Sequence, residues 1–124
     1  MREKMKPWSM AVADRRFARW VVKRGTICQN CSTRQNLTCS HYFMRGCFDL
    51  RYEPDNVIAL CIFCHVKWEG DKSADYKDLM VNRLGQDRYD EMERIFHRSR
   101  TKRKEAIERC REFLDGQYKI GGIS

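Results

Sequence analysis

Two Cys-x-x-Cys pairs, Cys28-Gln29-Asn30-Cys31 and Cys61-Ile62-Phe63-Cys64, constrain the fold of this chain more than any other feature. Each has the spacing of a metal-binding knuckle, and four thiolates at about 2.3 Å make a closed tetrahedral zinc site. His65 follows the second pair, so Cys61–His65 also fits the C-x-x-C-H spacing of haem attachment. Haem would leave the first pair without a task and would need export, which nothing in the opening stretch MREKMKPWSMAVADRRF directs. A redox role suits either pair alone and leaves the other idle. Zinc uses both. The 29 residues between Cys31 and Cys61 exceed the interval of a simple zinc ribbon, so a folded unit is expected between the knuckles.

A chain of 124 residues, 42% hydrophobic, is expected to form one domain (1–124) with a modest core that a metal would staple. Seven cysteines without an apolar leader point to a reducing, cytoplasmic setting and to metal rather than disulfides. Cys39, Cys47 and Cys110 are then left over and read as small buried hydrophobes. No run approaches the roughly 18 apolar residues of a membrane span. With 25 Lys+Arg against 17 Asp+Glu the net charge is +8, which favours a polyanionic partner, nucleic acid before others.

Periodicity gives an α+β chain. Val12, Phe17, Trp20 and Val21 approximate helical spacing, predicting a helix over 8–24 with Gly25 as its stop. Strand formers fill 36–43 and 56–61, with a Gly/Pro/Asp-rich loop between them over 44–55. A short helix is expected over 63–69 and a turn at Gly70-Asp71, closing a core over 26–72. Helices follow over 74–84 and 87–98, with Gly85 between them. A last helix is expected over 102–114, with Thr101 as its N-cap, to complete a helical half over 74–115. Strand, loop, strand and helix with zinc at the base form a ββα unit. It carries His41 at the end of the first strand, Asn56 at the start of the second, and His65 on the helix.

His, Asn and His in that order, within CQNC…SHYF…RYEPDNV…LCIFCH, resemble the zinc-bearing HNH (ββα-metal) endonuclease superfamily. The later stretch RLGQDRYDEMERIFHRSRTKRKEAI extends the likeness, roughly from Phe17 to Leu114, to the NinG (Rap) recombination family of lambdoid phages. The resemblance implies phosphodiester hydrolysis on branched DNA: a four-way junction, D-loop or flap. His41 would be the general base, as an imidazole can be at neutral pH. His65 would be a ligand of one divalent metal, and Asn56 would brace the loop and help orient His41. The family pattern commonly has Asp before the first His, where this chain has Ser40. A metal oxygen ligand is therefore sought at Ser40 itself or among Asp49, Glu53, Asp55 and Asp71. A site resting on His65 nitrogen should favour Mn2+, Co2+ or Ni2+ over Mg2+.

Five cations crowd the stretch HRSRTKRK over 97–104, namely Arg98, Arg100, Lys102, Arg103 and Lys104. Arg15, Arg16, Arg19, Lys23 and Arg24 form a second group, and Arg45, Arg51 and Lys67 lie near the histidines. Such residues neutralise phosphates and make binding salt-sensitive, while carrying little sequence information. Trp68 reads as core. Two rivals stand beside the junction nuclease: an HNH nickase or homing-type nuclease on duplex DNA, and a non-catalytic zinc-finger DNA-binding module. No stretch reads as a dimer seam.

Overall fold

In the computed structural model, residues 6–68 and 72–119 are described, with side chains to residue 117. The expected turn at Gly70-Asp71, and with it Asp71 as a metal ligand, lies outside the described residues, as do the first residues of the basic tail and the closing GGIS. Helix α1 spans Met10–Gly25, strand β1 Leu37–His41, strand β2 Val57–Cys61 and helix α2 Ile62–Lys67. Helices α3 (Ala74–Leu84), α4 (Gln86–Arg98) and α5 (Arg103–Lys119) follow. The fold is therefore α+β. No helix among the described residues is long and apolar enough to cross a membrane.

Helix α1 begins where Ser9 Oγ accepts the Val12 N–H at 3.2 Å, the side-chain satisfaction an N-terminus needs. Gly25 is not its stop. It is the last helical residue, and Thr26 (φ 61°) is the left-handed C-cap, its N–H closing on the Val22 carbonyl. Gly25 serves a different need: a Cβ there would lie 2.7 Å from Ala59 Cβ, so the glycine lets the end of α1 approach β2. Gly85 does separate α3 from α4, at φ 85°, a backbone state glycine adopts without strain.

The two strands pair antiparallel, from Leu37 with Cys61 to His41 with Val57. Alternation sends Thr38, Ser40, Ile58 and Leu60 to one face and Cys39, His41, Val57 and Ala59 to the other. On the first face Ile58 and Leu60 join Tyr42, Phe43, Tyr76, Met80, Tyr89 and Met92 in a core roofed by α3 and α4. Behind the second, Val57 packs with Ala13, Phe17, Trp20 and Val21 of α1, and with Ala106, Cys110 and Leu114 of α5. The small sheet is thus a septum between two helix pairs. Cys47 and Cys110 are buried in these cores, as expected of small hydrophobes, while Cys39 is only partly covered.

The last helix differs from expectation at both ends. Thr101 is not its cap: its N–H is taken by Asp49 Oδ1 at 2.7 Å, and the first helical acceptor is the Lys102 carbonyl, bonded by the Ala106 N–H. The helix also runs past Leu114 and Gly116 to Lys119. A glycine costs only about 1 kcal/mol in a helix, which does not suffice to end it at Gly116.

Candidate metal centre and histidine cleft

The four Sγ atoms of Cys28, Cys31, Cys61 and Cys64 lie within 4.8 Å of one another. The Cys31 and Cys61 sulfurs are 3.7 Å apart, close to the ~3.8 Å edge of a tetrahedron drawn around a zinc with ~2.3 Å bonds. Each pair turns back on itself, the Cys31 N–H pointing at Cys28 Sγ and the Cys64 N–H at Cys61 Sγ, both at 3.5 Å. Asn30 Nδ2 adds a donor to Cys64 Sγ at 3.3 Å. Burial would raise the Cys28 thiol, but surrounding N–H groups of Cys31, Cys61 and Asn30 outweigh it and hold it at about 6. Burial and the other three thiols push Cys64 up to about 12. Four crowded sulfurs cannot all ionise unaided, and one divalent cation removes that conflict. The cluster could thus hold a structural metal, and all-sulfur tetrahedral coordination suits zinc.

The cluster joins the loop between α1 and β1 to the end of β2 and the first turn of α2. From there two histidines reach a single cleft of about 700 Å3, walled by α1 and the β1–β2 loop on one side and α2 on the other. Its floor is the consecutive run Cys39–Tyr42, the outer edge of β1. His41 and His65 both line it.

Their protons can be assigned from their partners. His41 Nε2 is 2.8 Å from the Arg51 carbonyl. A carbonyl only accepts, so Nε2 carries the proton and Nδ1 keeps its lone pair. Burial drives the His41 pKa down to about 4, helped by the Arg45 and Arg51 charges and opposed by the Arg51 carbonyl, so the ring is neutral at neutral pH. His65 Nδ1 is 2.7 Å from Thr38 Oγ1, and that hydroxyl spends its one proton on the Leu60 carbonyl, also at 2.7 Å. Nδ1 must therefore be the donor to Thr38, which leaves Nε2 of His65 as a free lone pair. Partial burial and the Arg45 charge also lower the His65 pKa. A neutral imidazole whose far nitrogen is locked by an acceptor is the state in which histidine binds a metal.

Asn56 is fully buried and lies behind the cleft, not in it. Its Oδ1 accepts the Phe43 N–H at 2.8 Å, and its Nδ2 donates to the Phe43 and Leu50 carbonyls at 3.1 and 3.0 Å. Its own carbonyl takes the Tyr42 N–H. Every bond falls on the chain just after His41 or at the far end of the loop, so Asn56 positions and does not touch a ligand. Ser40 lines the cleft but is 1% exposed. Its Oγ is 3.0 Å from the Tyr76 hydroxyl, which also reaches the Ser40 carbonyl. That bond anchors α3 to β1.

The candidate oxygen ligands fall elsewhere. Asp49 receives the Arg100 and Thr101 N–H groups, at 2.9 and 2.7 Å. Glu53 and Asp55 receive Arg88 of α4. None of the three lines the cleft, because each is used to fasten a C-terminal helix or turn to the β1–β2 loop. Arg51, expected to contact DNA, is instead buried, 6% exposed. Its guanidinium is bound by both oxygens of Asp14 (2.9 and 2.6 Å) and by the Arg45 carbonyl. Arg24 is likewise structural, donating to the Pro54 and Val57 carbonyls.

Sequence reasoning missed Asp14, Thr38 and Tyr76. Asp14 lines the cleft and also accepts Tyr52 Oη at 2.7 Å and Arg45 at 3.0 Å. Burial opposes its ionisation, but Arg51, Tyr52 and Arg45 prevail and hold the carboxyl below the usual range. A signal existed: Asp14 sits at helical spacing from Phe17 and Val21, on an otherwise apolar stripe. Period-two alternation likewise puts Thr38 opposite His41, on the face that receives α2.

Cations remain at the surface. Arg45 keeps 58% of its side chain exposed despite its bond to Asp14, and Lys67 and Lys72 are exposed on the α2 side, Lys72 at the cleft. Arg98, Arg100, Lys102, Arg103 and Lys104 are all exposed, on a turn pinned to the β1–β2 loop through Asp49. Comparison with protein-family models, curated proteins and solved structures returns no match.

Proposed function

We propose that this protein is a metal-dependent endonuclease that hydrolyses DNA phosphodiesters, with β1, β2 and α2 as a zinc-stapled HNH-type ββα unit. The observation that carries this reading is the pair of neutral histidines in one cleft, each with one nitrogen locked by an acceptor and the other left free. His41 Nδ1 takes a proton from a water, whose oxygen attacks phosphorus as the P–O bond to the leaving sugar oxygen breaks. Burial keeps the His41 lone pair free at neutral pH while lowering its basicity. His65 Nε2 would hold one divalent cation, which when bound supplies Lewis acidity at the phosphate and the leaving oxygen. Asn56 fixes the backbone that follows His41, and Arg45 offers a charge to a phosphate at the cleft mouth.

The donor set favours imidazole-binding ions. Among the described cleft residues the one carboxylate is Asp14, and both its oxygens are engaged by Arg51, Arg45 and Tyr52. Mn2+, Co2+ or Ni2+ is therefore expected to support faster cleavage than Mg2+. The exposed turn over 98–104 would track the backbone outside the cut site. A branched substrate rests on the motif resemblance to the NinG family.

The test uses labelled four-way junction, flap, D-loop and linear duplex DNA, with and without each divalent ion. His41→Ala should abolish cleavage with little loss of binding, and His65→Ala should abolish it through loss of metal affinity. Cleavage of linear duplex alone would favour a nickase or homing-type enzyme. Metal-independent binding without cleavage, unchanged in both variants, would leave a zinc-bearing DNA-binding module.

A further inference from the structure

The same cleft carries a feature that hydrolysis does not require. Ile62, Phe63 and Val66 are 49, 78 and 72% exposed, and Met44 on the facing loop is 63% exposed. Three of these come from the six-residue helix α2, and Val66 and Met44 line the cleft itself. Helix geometry accounts for the outward direction. Cys64 is committed to the sulfur cluster and His65 to Thr38, so positions 62, 63 and 66 must face solvent. Geometry does not account for their being apolar, since polar residues would serve a solvent-facing turn as well.

Charge around the patch narrows what covers it. Among the described residues its charged neighbours are cations: Lys67 on α2, with Lys72 and Arg45 at the cleft. A cationic rim matches a polyanion by charge complementarity. A nucleic acid suits both rim and patch, but only one that shows a base face. In continuous duplex the base faces are stacked on each other, and the grooves present edges and phosphates. At a branch, flap or unpaired position at least one face is open, and aromatic or aliphatic side chains bind there as stacking platforms or wedges.

Building on the DNA-cleaving reading above, we propose that Phe63, flanked on α2 by Ile62 and Val66, is a base-stacking wedge that selects unstacked positions in DNA. Phe63 lies two residues from His65 on the same rigid turn. A base seated on the ring therefore fixes the distance from the branch to the phosphate that is cut. Selection of branched DNA then resides in α2, separate from the basic turn over 98–104, which binds any backbone.

The test compares zinc-loaded wild type with Phe63→Ser/Val66→Ser and Phe63→Trp, using a four-way junction and a duplex of matched sequence. Each DNA carries 2-aminopurine, at the branch or at the equivalent duplex position. Wild type should prefer the junction and change the 2-aminopurine emission there. The double serine variant should lose about tenfold or more of the junction-to-duplex affinity ratio, the scale of one base stack, and lose the emission change. Phe63→Trp should retain both. Both side chains are exposed, so zinc content and circular dichroism should match wild type. An unchanged ratio and emission in the serine variant would overturn the wedge, and wild-type cleavage in the same samples would leave the nuclease reading standing. Junction preference and emission change without cleavage would uphold the wedge and remove the nuclease reading. A wild-type dimer in sedimentation without DNA, lost in the serine variant, would show the patch to be a seam between copies and overturn the wedge.

Discussion

Asp14→Asn removes one charge and almost no volume, and the structure sets what that should cost. The Arg51 side chain is 7% exposed, and among the described residues Asp14 is the one carboxylate bonded to it, through contacts at 2.9 and 2.6 Å. Removing one partner of a buried pair costs about 3–5 kcal/mol, since the other charge stays desolvated. Asp14 is 26% exposed, so solvent screens part of this, and the asparagine oxygen can keep one bond. An expected loss of about 2–3 kcal/mol remains, a large share of the roughly 6–18 kcal/mol typical of a chain this size. Urea denaturation of the zinc-loaded protein at pH 7 should show the midpoint falling at constant slope.

The pH dependence follows from the same contacts. The folded carboxyl of Asp14 is held below its unfolded value. Its contribution is fully present above the unfolded pKa near 4 and is lost as pH falls through the lower folded one. The gap between wild type and variant should therefore persist to about pH 4 and close below it. The variant should also disturb His41, whose Nε2 leans on the carbonyl of Arg51. A midpoint shift worth under about 0.5 kcal/mol would refute the reasoning, since Arg51 would then have another way to be solvated.

Thr38→Val keeps the strand residue but removes the hydroxyl that receives His65. Divalent-metal affinity, read from cleavage rate against Mn2+ concentration, should fall about 10- to 100-fold, with zinc content unchanged. Because His41 is held near 4, cleavage at saturating metal should fall less than twofold between pH 7 and about pH 5.5, where a base of ordinary pKa near 6.5 would lose roughly eightfold. The same depressed pKa should weaken the fold as pH drops from about 6.5 towards 4, because the unfolded chain takes that proton first. Gly25→Ala forces a Cβ to within 2.7 Å of Ala59 Cβ. It should cost about 1–3 kcal/mol in urea denaturation, and Ala59→Gly should restore much of it in the double variant.

The features readable in the sequence are those governed by local periodicity or by donor chemistry. The strands fell within one or two residues of expectation because runs of strand formers and the turn residues between them bound them. The four cysteines converge because the residues between Cys31 and Cys61 form a hairpin, which returns the chain to its start. His41 and His65 reach one cleft for the same reason. What escaped is pairing at long range. Nothing in RYEPD says that its arginine meets an aspartate on the first helix, 37 residues earlier. Nor does it say that Glu53 and Asp55 meet Arg88.

An acid near a histidine in sequence is a reasonable metal ligand only if no cation elsewhere claims it, and in a chain of net charge +8 such cations are plentiful. The same excess of cations engages the acids around the β1–β2 loop and α1. Asp14, Asp49, Glu53 and Asp55 are each taken by arginines or by the backbone of a basic turn. A catalytic cation in this cleft would then rely on His65 nitrogen and on water or substrate oxygens. Ser40→Asp tests that dependence. It would set a carboxylate against the Tyr76 hydroxyl, on the sheet face that carries Thr38 and receives His65. The Mg2+ reaction should gain on the Mn2+ reaction. An unchanged Mg2+ to Mn2+ ratio would mean that the cleft completes its ligand set without position 40.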